Sequence, residues 1–290
     1  MAGERKRGEI AAVLLFLGPS TLGILIFYIV PFIWMIFYSF FDSPINGKFA
    51  GFGNYVELIN SGAYRQAVVN TITFTGISVP LIIVLSLILS LLLNERMHFR
   101  QELRTSFIVP LVVPVASVIL FFELLFDTRG IINGMLSIVD IAPVDWMNSS
   151  WAMAVVIIIY IWKNIGYNIV LFLAGLQGIP KEYYEAASLD GAGKVAMFTH
   201  ITLIYLMPTI FFTIIISIIN SFKVFREVYL LAGDYPYQGI YMLQHYMNNM
   251  FRRLNYHKLV TAAILMAVFI YIMIFVLFRI QKRINNAIGE

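Results

Sequence analysis

Six stretches of the sequence contain no charged residues, or nearly none, and each is long enough to cross the hydrocarbon core of a membrane. A helix needs about 20 predominantly apolar residues to span that core. The stretches are Ile10–Phe41, Val69–Asn94, Thr105–Phe122, Trp151–Leu176, Ile201–Phe222 and Leu259–Phe278. The chain is 12% charged, whereas an ordinary soluble domain is about 25% charged. We therefore predict an all-α membrane protein with six transmembrane helices in a single domain over residues 1–290.

The first stretch follows the basic segment ERKR, as the apolar part of a secretory signal would. It is much longer than the roughly 7 to 15 apolar residues of such a signal, which favours an uncleaved anchor. Kinks are expected at the prolines in or beside the spans, because proline removes a helical hydrogen bond. A membrane helix tolerates this change when neighbouring helices satisfy the freed carbonyls. These prolines are Pro31, Pro80, Pro110, Pro114 and Pro208.

Lysine and arginine at the ends of the spans predict that both termini are cytoplasmic, since cytoplasmic segments are enriched in these residues. The inner segments then hold Arg5, Lys6, Arg7, Arg96, Arg100, Arg104, Lys181, Lys194, Arg279, Lys282 and Arg283. The outer segments hold Lys48, Arg65, Arg129, Lys223, Arg226, Arg252, Arg253 and Lys258. The outer connections Asp42–Val68, Asp127–Ser150 and Lys223–Lys258 are rich in aromatic residues, which predicts ordered caps or partial helices.

Several chemistries have no support in the sequence. The net charge of +4 forms no basic stripe, so a nucleic-acid partner is not expected. Without cysteine there is no disulfide, thiolate metal site or thiol nucleophile. HExxH and GxSxG are absent, and the histidines His98, His200, His245 and His257 are scattered, so neither a catalytic residue nor a metal site is predicted.

A phosphate-binding loop is also missing. The nearest candidate, Gly191-Ala192-Gly193-Lys194-Val195, lacks both the spacing and the hydroxyl of GxxxxGK[ST]. If ATP is used, another chain binds it.

A polar stripe follows one face of the fourth predicted span. It consists of Tyr160, Lys163, Asn164, Tyr167 and Asn168, at the i, i+3, i+4, i+7 and i+8 positions of a helix. A charge such as that of Lys163 costs roughly 3 kcal/mol at the centre of a membrane helix, so it should face protein, water or a partner group. The fifth span carries a weaker copy in Thr213, Ser217, Asn220 and Ser221.

Two interpretations of these stripes remain open. The amides and hydroxyls could join helices by hydrogen bonds worth roughly 0.6 kcal/mol each. Alternatively, the stripes could line a hydrophilic pathway in which tyrosines and Trp162 offer flat faces to sugar rings.

Between the fourth and fifth spans lies the charged segment KEYYEAASLDGAGK, residues 181–194. Pro180 suits the first turn of a short helix over Lys181–Asp190. Gly191 and Gly193 would then permit a sharp turn before the fifth span. A charged segment of this kind could be a solvated connector or a surface for a partner.

The residues of this segment resemble a known motif. Glu185-Ala186-Ala187, three residues, Gly191, nine residues and Ile201-Thr202-Leu203 resemble the EAA motif of permease subunits in binding-protein-dependent ABC importers. The longer EAASLDGAGKVAMFTHITL resembles the carbohydrate branch of maltose and glycerol-phosphate type. IWKNIGYNIVLFLAGLQGIPKEYYEAA, GPSTLGILIFYIVPFIWMIFYSF and SFKVFREVYLL extend the resemblance over nearly the whole chain.

The resemblance implies a type I ABC importer permease fold in a bacterial inner membrane. It also implies a second permease subunit, usually an unlike one, together with two ATPase subunits that hold ATP and Mg and an extracellular solute-binding protein that delivers a sugar. The chain would then have no ATPase site of its own and would not be an enzyme by itself.

The same resemblance assigns roles to residues. A cytoplasmic coupling loop at about 178–200 would dock on the ATPase through Glu185, Ala186, Ala187, Asp190 and Gly191, with Glu185 meeting a basic group there. The substrate pathway is assigned to Tyr160, Lys163, Asn164, Tyr167, Asn168, Ser217 and Asn220.

The alternative function is a stand-alone, ion-coupled secondary transporter. Such a protein needs intramembrane acids and usually has repeated halves. Glu123 is the only acidic residue identified in or near a predicted span, and no repeat is evident. The sequence therefore favours the importer subunit.

Overall fold

The computed structural model describes residues 13, 15–43, 47–95 and 100–288, and within these ranges the chain is helical apart from loops and one isolated β-bridge between Phe41 and Phe49. Outside the described residues lie several predicted positions: residues 10–12 and 14 of the first stretch, Arg5, Lys6, Arg7, Arg96, His98 and the side chain of Arg100.

Thirteen helices are labelled in chain order among the described residues. They are α1 Leu15–Tyr38, α2 Gly53–Asn60, α3 Gly62–Asn94, α4 Arg100–Val112, α5 Val115–Phe126, α6 Ile131–Ile138, α7 Ala152–Gln177, α8 Lys181–Leu189, α9 Lys194–Met197, α10 Leu203–Phe222, α11 Phe225–Ala232, α12 Leu243–Arg252 and α13 Tyr256–Ile288. A π-helical turn, Phe198–Thr202, joins α9 to α10, and α1 contains a second one at Leu25–Ile29.

Among the described residues, five helical segments are long and apolar enough to cross a membrane, and they correspond to five of the six predicted stretches. The third stretch is broken, and the break coincides with Pro114, where a kink was predicted. Its two parts, Gln101–Val112 and Val115–Ile138, are bent by 102° about a break at Val113 and Pro114. Pro114 has a φ of −55° and a ψ of 138°, outside the helical region, and it is the N-cap of α5, so one helix ends before it and the next begins after it. The sixth span exists only if this bent pair counts as one crossing.

The other internal prolines are accommodated within helices. Helical structure continues through Pro80 in α3, Pro110 in α4 and Pro208 in α10. Helices α2, α6, α11 and α12 lie in the connections Asp42–Val68, Asp127–Ser150 and Lys223–Lys258, which confirms the prediction of partial helices there.

Two compact units make up the described chain. The larger contains residues from Gly62 to Tyr246 and from Tyr271 onward. Its core lies among α3, α7 and α10, where the rings of Phe74 and Tyr160 meet edge to face at 5.4 Å. A Cβ placed on Gly166 of α7 would lie 1.8 Å from the carbonyl oxygen of Phe107 in α4. The absence of a side chain at Gly166 therefore allows these two helices to approach each other closely.

Polar side chains fix the outer segments of the larger unit. The Asn70 amide of α3 donates to the carbonyls of Gln238 and Tyr241 at 2.7 and 2.9 Å. The hydroxyl of the next residue, Thr71, accepts from the N–H of Leu243 at 2.9 Å. These bonds satisfy backbone groups at the start of α12 that would otherwise be buried without partners.

The smaller unit contains the described residues up to Ser61 and Met247–Ile270. Asn54 of α2 donates to the carbonyls of Ser39 and Phe41, which fixes the chain after α1. Lys258 binds Glu57 with a nitrogen to oxygen distance of 2.7 Å. Most side chains of α1 are exposed and apolar, as expected of a helix that faces lipid or another subunit.

Candidate functional sites

A polar pocket of about 170 Å³ lies between the end of α10, the start of α11 and the middle of α7. It is lined by Tyr160, Lys163, Asn164, Asn220, Lys223, Val224, Arg226 and Glu227. Four of these, Tyr160, Lys163, Asn164 and Asn220, are predicted pathway residues. Three residues of the stripe on α7 and one of its weaker copy on α10 therefore line the same cavity.

Lys163 forms an ion pair with Glu227, through Nζ and Oε1. Glu227 is buried, so this pair supplies the partner group that an apolar environment requires of Lys163. Sequence analysis did not select Glu227, because it lies in the connection after the fifth predicted span. The need of Lys163 for a carboxylate was the signal that could have found it.

The second oxygen of Glu227, Oε2, is buried and has no hydrogen-bond partner among the described residues. A carboxylate oxygen accepts hydrogen bonds only. A small rearrangement that exposes Oε2 to the pocket would let it accept from a hydroxyl.

Some polar residues of the two stripes join α7 to α10 by hydrogen bonds. Tyr160 donates its hydroxyl proton to the carbonyl of Ser217 at 2.7 Å. Asn168 donates to the Ser217 hydroxyl at 2.9 Å, and both side chains are buried. The interhelical interpretation therefore describes Asn168 and Ser217, which do not line the pocket.

Two aromatic residues also lie away from the described lining of the pocket. Tyr167 is partly exposed, and Trp162 stacks on Phe121 with ring centroids 6.1 Å apart. Trp162 therefore packs against α5 rather than offering its face to this cavity.

Hydrogen-bond donors dominate the pocket lining. Beyond the Lys163–Glu227 pair, the lining contains the exposed cations Lys223 and Arg226. Lys223 donates to the Asn220 side-chain oxygen at 3.3 Å. Amides, a phenol and cations of this kind suit a ligand rich in hydroxyls, which can both accept and donate.

The charged segment after α7 forms the helix α8, as predicted, with Pro180 at its N-cap. Asp190 is the C-cap and Gly191 follows with a positive φ of 78°. The N–H of Ala192 donates to the carbonyl of Ala187 at 2.9 Å, and that of Gly191 to the carbonyl of Ser188 at 3.1 Å. These two bonds form a Schellman motif, so Gly191 ends the helix.

Gly193, in contrast, has an ordinary φ of −74° and caps α9. The predicted sharp turn therefore depends on Gly191 alone.

Aromatic contacts attach α8 to the membrane helices. The Tyr184 hydroxyl lies 2.9 Å from that of Thr202, in the turn that leads into α10. The ring of Tyr184 also packs on the cluster of Leu176, Ile179 and Leu206. Tyr183 meets Tyr205 with ring centroids 5.0 Å apart. A force applied to α8 would therefore reach both α7 and α10.

The face of α8 that does not pack on the membrane helices is exposed. Glu185, Ala186, Asp190 and Gly191 are exposed, and Ala187 is half-buried. Two apolar side chains that sequence analysis did not select are also exposed, Leu189 at 90% and Val195 at 77%. Their position inside a polar segment was the available signal, because apolar residues there are typical of a docking surface.

These features define a class of protein. Residues 50–290 match the family described as "Binding-protein-dependent transport system inner membrane component". The chain belongs to this family, which comprises the permease subunits of ABC importers, and is a multi-pass membrane protein.

Among its relatives is the "Arabinooligosaccharides transport system permease protein AraP" of Bacillus subtilis, 34% identical over 230 residues that cover 76% of this chain and 72% of AraP. The "Lactose transport system permease protein LacF" of Rhizobium radiobacter is 30% identical over 220 residues, 74% of each chain.

The fold also matches a solved structure, described as "a bacterial ABC transporter involved in the import of the acidic polysaccharide alginate". The TM-score is 0.83 at 24% identity, and the match covers 97% of this chain and 99% of that chain. The predicted family and all-α permease fold are thus confirmed. The alternative of a stand-alone secondary transporter finds no support in these comparisons.

Proposed function

We propose that this chain is the membrane-spanning subunit of an ATP-driven sugar importer and forms half of its translocation pathway. The names of relatives support a sugar, since AraP and LacF are named for arabinooligosaccharides and lactose. The pocket between α7, α10 and α11 supports it independently, because Tyr160, Asn164 and Asn220 provide neutral polar groups for hydroxyls.

The proposed assembly contains a second, unlike permease, two ATPase subunits that bind ATP and Mg, and an extracellular solute-binding protein. It lies in a bacterial inner membrane with both termini of this chain in the cytoplasm. A related solved transporter is described as "in complex with alginate pentasaccharide-bound periplasmic protein", which supports a binding-protein partner for this family. This chain has no ATPase site in the proposal, so ATP hydrolysis belongs to the partner subunits.

Coupling is proposed to run through α8. When ATP closes the ATPase pair, α8 moves with its ATPase subunit and carries α7 and α10 with it through Tyr183 and Tyr184. Because the pocket lies between α7, α10 and α11, this motion would change its access. ATP thereby shifts the population toward the outward-open state.

One observation carries this proposal. The EAA segment is an exposed helix, closed at Gly191 and attached at its inner face to two membrane helices. A flexible connector could not transmit movement in this way.

The first test replaces Glu185 by alanine. We expect Glu185→Ala to insert normally but to reduce ATP-dependent sugar uptake by at least about tenfold, equivalent to about 1.4 kcal/mol of lost coupling. The matched control is Glu182→Ala, which removes the same charge from the preceding turn of α8. Uptake by membrane vesicles and the amount of ATPase that co-purifies in mild detergent are measured together.

Wild-type uptake by Glu185→Ala would overturn the role of this helix. An equal loss of uptake in Glu182→Ala would show that uptake depends on the overall charge of α8 and not on the position of Glu185. Uptake by the purified chain alone in liposomes would instead establish an ATPase-independent transporter.

A further inference from the structure

One face of the last helix forms a shallow groove that the sugar pathway does not use. Phe275, Val276, Arg279, Ile280 and Arg283 of α13 line it. The three apolar side chains are 43–47% exposed, so the described chain leaves nearly half of each uncovered. The groove thus combines an apolar floor with two guanidinium groups at one end.

The two arginines are placed to act on one ligand. They are four residues apart, so they lie on the same helical face about one turn, or roughly 6 Å, apart. Arg279 lies over the ring of Phe275, with its Cζ 5.1 Å from the centroid. This cation–π contact holds the guanidinium at the groove and leaves its N–H edges available.

The charge of this surface is uncompensated. Residues 271–288 contain no aspartate or glutamate. Among the described residues, no carboxylate forms an ion pair with Arg279 or Arg283. An anionic group is therefore the complementary ligand.

The groove also lies at the level of a lipid headgroup. The apolar span that ends here, Tyr256–Ile284, has 29 residues. At 1.5 Å per residue it is about 43 Å long, whereas a hydrocarbon core is about 30 Å thick. With the core centred on this span, about 7 Å of helix remains at each end, so Arg283 lies beyond the hydrocarbon and Arg279 at its edge. Phe275 and Val276 then lie within the hydrocarbon.

We propose that this groove is a binding site for an anionic phospholipid. The phosphate would accept hydrogen bonds from Arg279 and Arg283, since guanidinium groups bind phosphate oxygens in paired geometry. The first part of an acyl chain would lie on Phe275, Val276 and Ile280. This site is separate from the sugar pocket and does not depend on the proposed transport function.

A lipid fits the groove better than free phosphate does. Inorganic phosphate would contact the two arginines but would leave the apolar floor bare. The apolar residues extend from the arginines toward the hydrocarbon, as the acyl chain of a phospholipid extends from its headgroup.

The test measures lipid that stays bound to the purified transporter, with this chain in its native assembly. The complex is reconstituted in nanodiscs that contain phosphatidylglycerol and phosphatidylcholine, extracted into detergent and examined by native mass spectrometry. A photoactivatable phosphatidylglycerol then locates the site by labelling. We expect retained phosphatidylglycerol, no retained phosphatidylcholine, and label on the peptide that contains Phe275–Ile280.

The variants separate a built site from general charge. Arg279→Gln with Arg283→Gln should lose the retained lipid and the label. Lys282→Gln is the matched control, because Lys282 is an exposed neighbour of like charge that does not line the groove, and it should retain both. Val276→Trp keeps every charge but fills the apolar part of the groove, so it should also lose the label. This variant provides the test if the double arginine variant fails to assemble.

Five outcomes would overturn the proposal. The first two are retention of lipid by both the double arginine variant and Val276→Trp, and a loss of lipid in Lys282→Gln equal to that of the double arginine variant. The next two are retention of phosphatidylcholine equal to that of phosphatidylglycerol, and displacement of the lipid by millimolar inorganic phosphate. The fifth is label on another subunit instead of α13, which would assign the groove to a protein partner.

Discussion

At the scale of single residues, Gly191 is the position where backbone conformation and proposed function meet. Its φ of 78° lies in the left-handed region that only glycine adopts without cost. A side chain there has open space but costs about 1–2 kcal/mol in the backbone. The end of α8, and with it the geometry of Asp190, depends on this residue.

We therefore predict that Gly191→Ala reduces ATP-dependent uptake several-fold without loss of membrane insertion. Gly193→Ala is the control, since Gly193 also has open space around it but has a φ of −74° that alanine adopts freely. Its uptake should equal that of wild type. Uptake and membrane expression are measured in parallel for both variants. Equal uptake by the two variants would show that backbone strain at Gly191 does not affect transport.

The limit of sequence prediction is clear at Lys163. The cost of a charge in an apolar helix predicts that Lys163 has a polar partner, and Glu227 confirms this. The identity of the partner could not be predicted, because the two residues are separated by 64 positions and meet only through tertiary packing. The same reason explains why Asn168 could not be separated from Asn164 by spacing alone.

At the scale of elements, close packing between α7 and α4 depends on the missing side chain at Gly166. The Cβ of an alanine would overlap a backbone carbonyl, and a backbone atom yields less easily than a flexible side chain. We predict that Gly166→Ala lowers the stability of the folded chain by about 1–3 kcal/mol, the usual cost of overpacking.

The control is Gly76→Ala in α3, where a Cβ meets nothing within 4 Å. Alanine favours a helix over glycine by about 1 kcal/mol, so this variant should be neutral or more stable. Thermal unfolding of the purified protein in detergent measures both changes. If the midpoint of Gly166→Ala matches wild type, α4 and α7 are less tightly packed than described.

The existence of helices was predicted well from apolar composition, whereas the position of a break within a helix depends on three-dimensional packing and was not. Five apolar stretches became continuous helices, and Lys181–Leu189 was predicted almost to the residue because Pro180 and Gly191 mark its ends. The third stretch is broken at one of the prolines where a kink was predicted. Pro110 and Pro114 carry the same composition signal, yet only Pro114 coincides with the break. Which proline interrupts a helix depends on the neighbours that can satisfy its freed carbonyls.

At the scale of the whole molecule, apolar stretches and one motif sufficed to predict the family and the helical membrane fold. They did not predict the pocket, because its lining comes from α7, α10 and α11 together. Nor did they predict His245, which is fully buried in α12 against Phe225, with ring centroids 4.8 Å apart. A lone histidine in a connection carries no sequence signal of burial.

Burial of His245 makes the stability of the folded chain sensitive to acid. Burial lowers the pKa of His245 to about 4, although the nearby Asp234 carboxylate opposes this shift. The unfolded chain takes up a proton near the ordinary pKa of about 6.5, whereas the folded chain does not. The contribution of His245 to the free energy of unfolding should therefore be greatest above about pH 6.5. It should fall by on the order of 3 kcal/mol as the pH drops to about 4.

His245→Phe removes this titration and keeps an aromatic ring, but it also removes the ring nitrogen that accepts from the N–H of Met242. We expect its thermal midpoint to fall less than that of wild type between pH 7 and pH 5. His200→Asn is the control, because His200 is exposed, and it should keep the wild-type dependence on pH. If His245→Phe loses stability in acid as steeply as wild type, another group governs the response. A flatter profile would show that one buried imidazole in α12 limits the pH range over which the subunit stays folded.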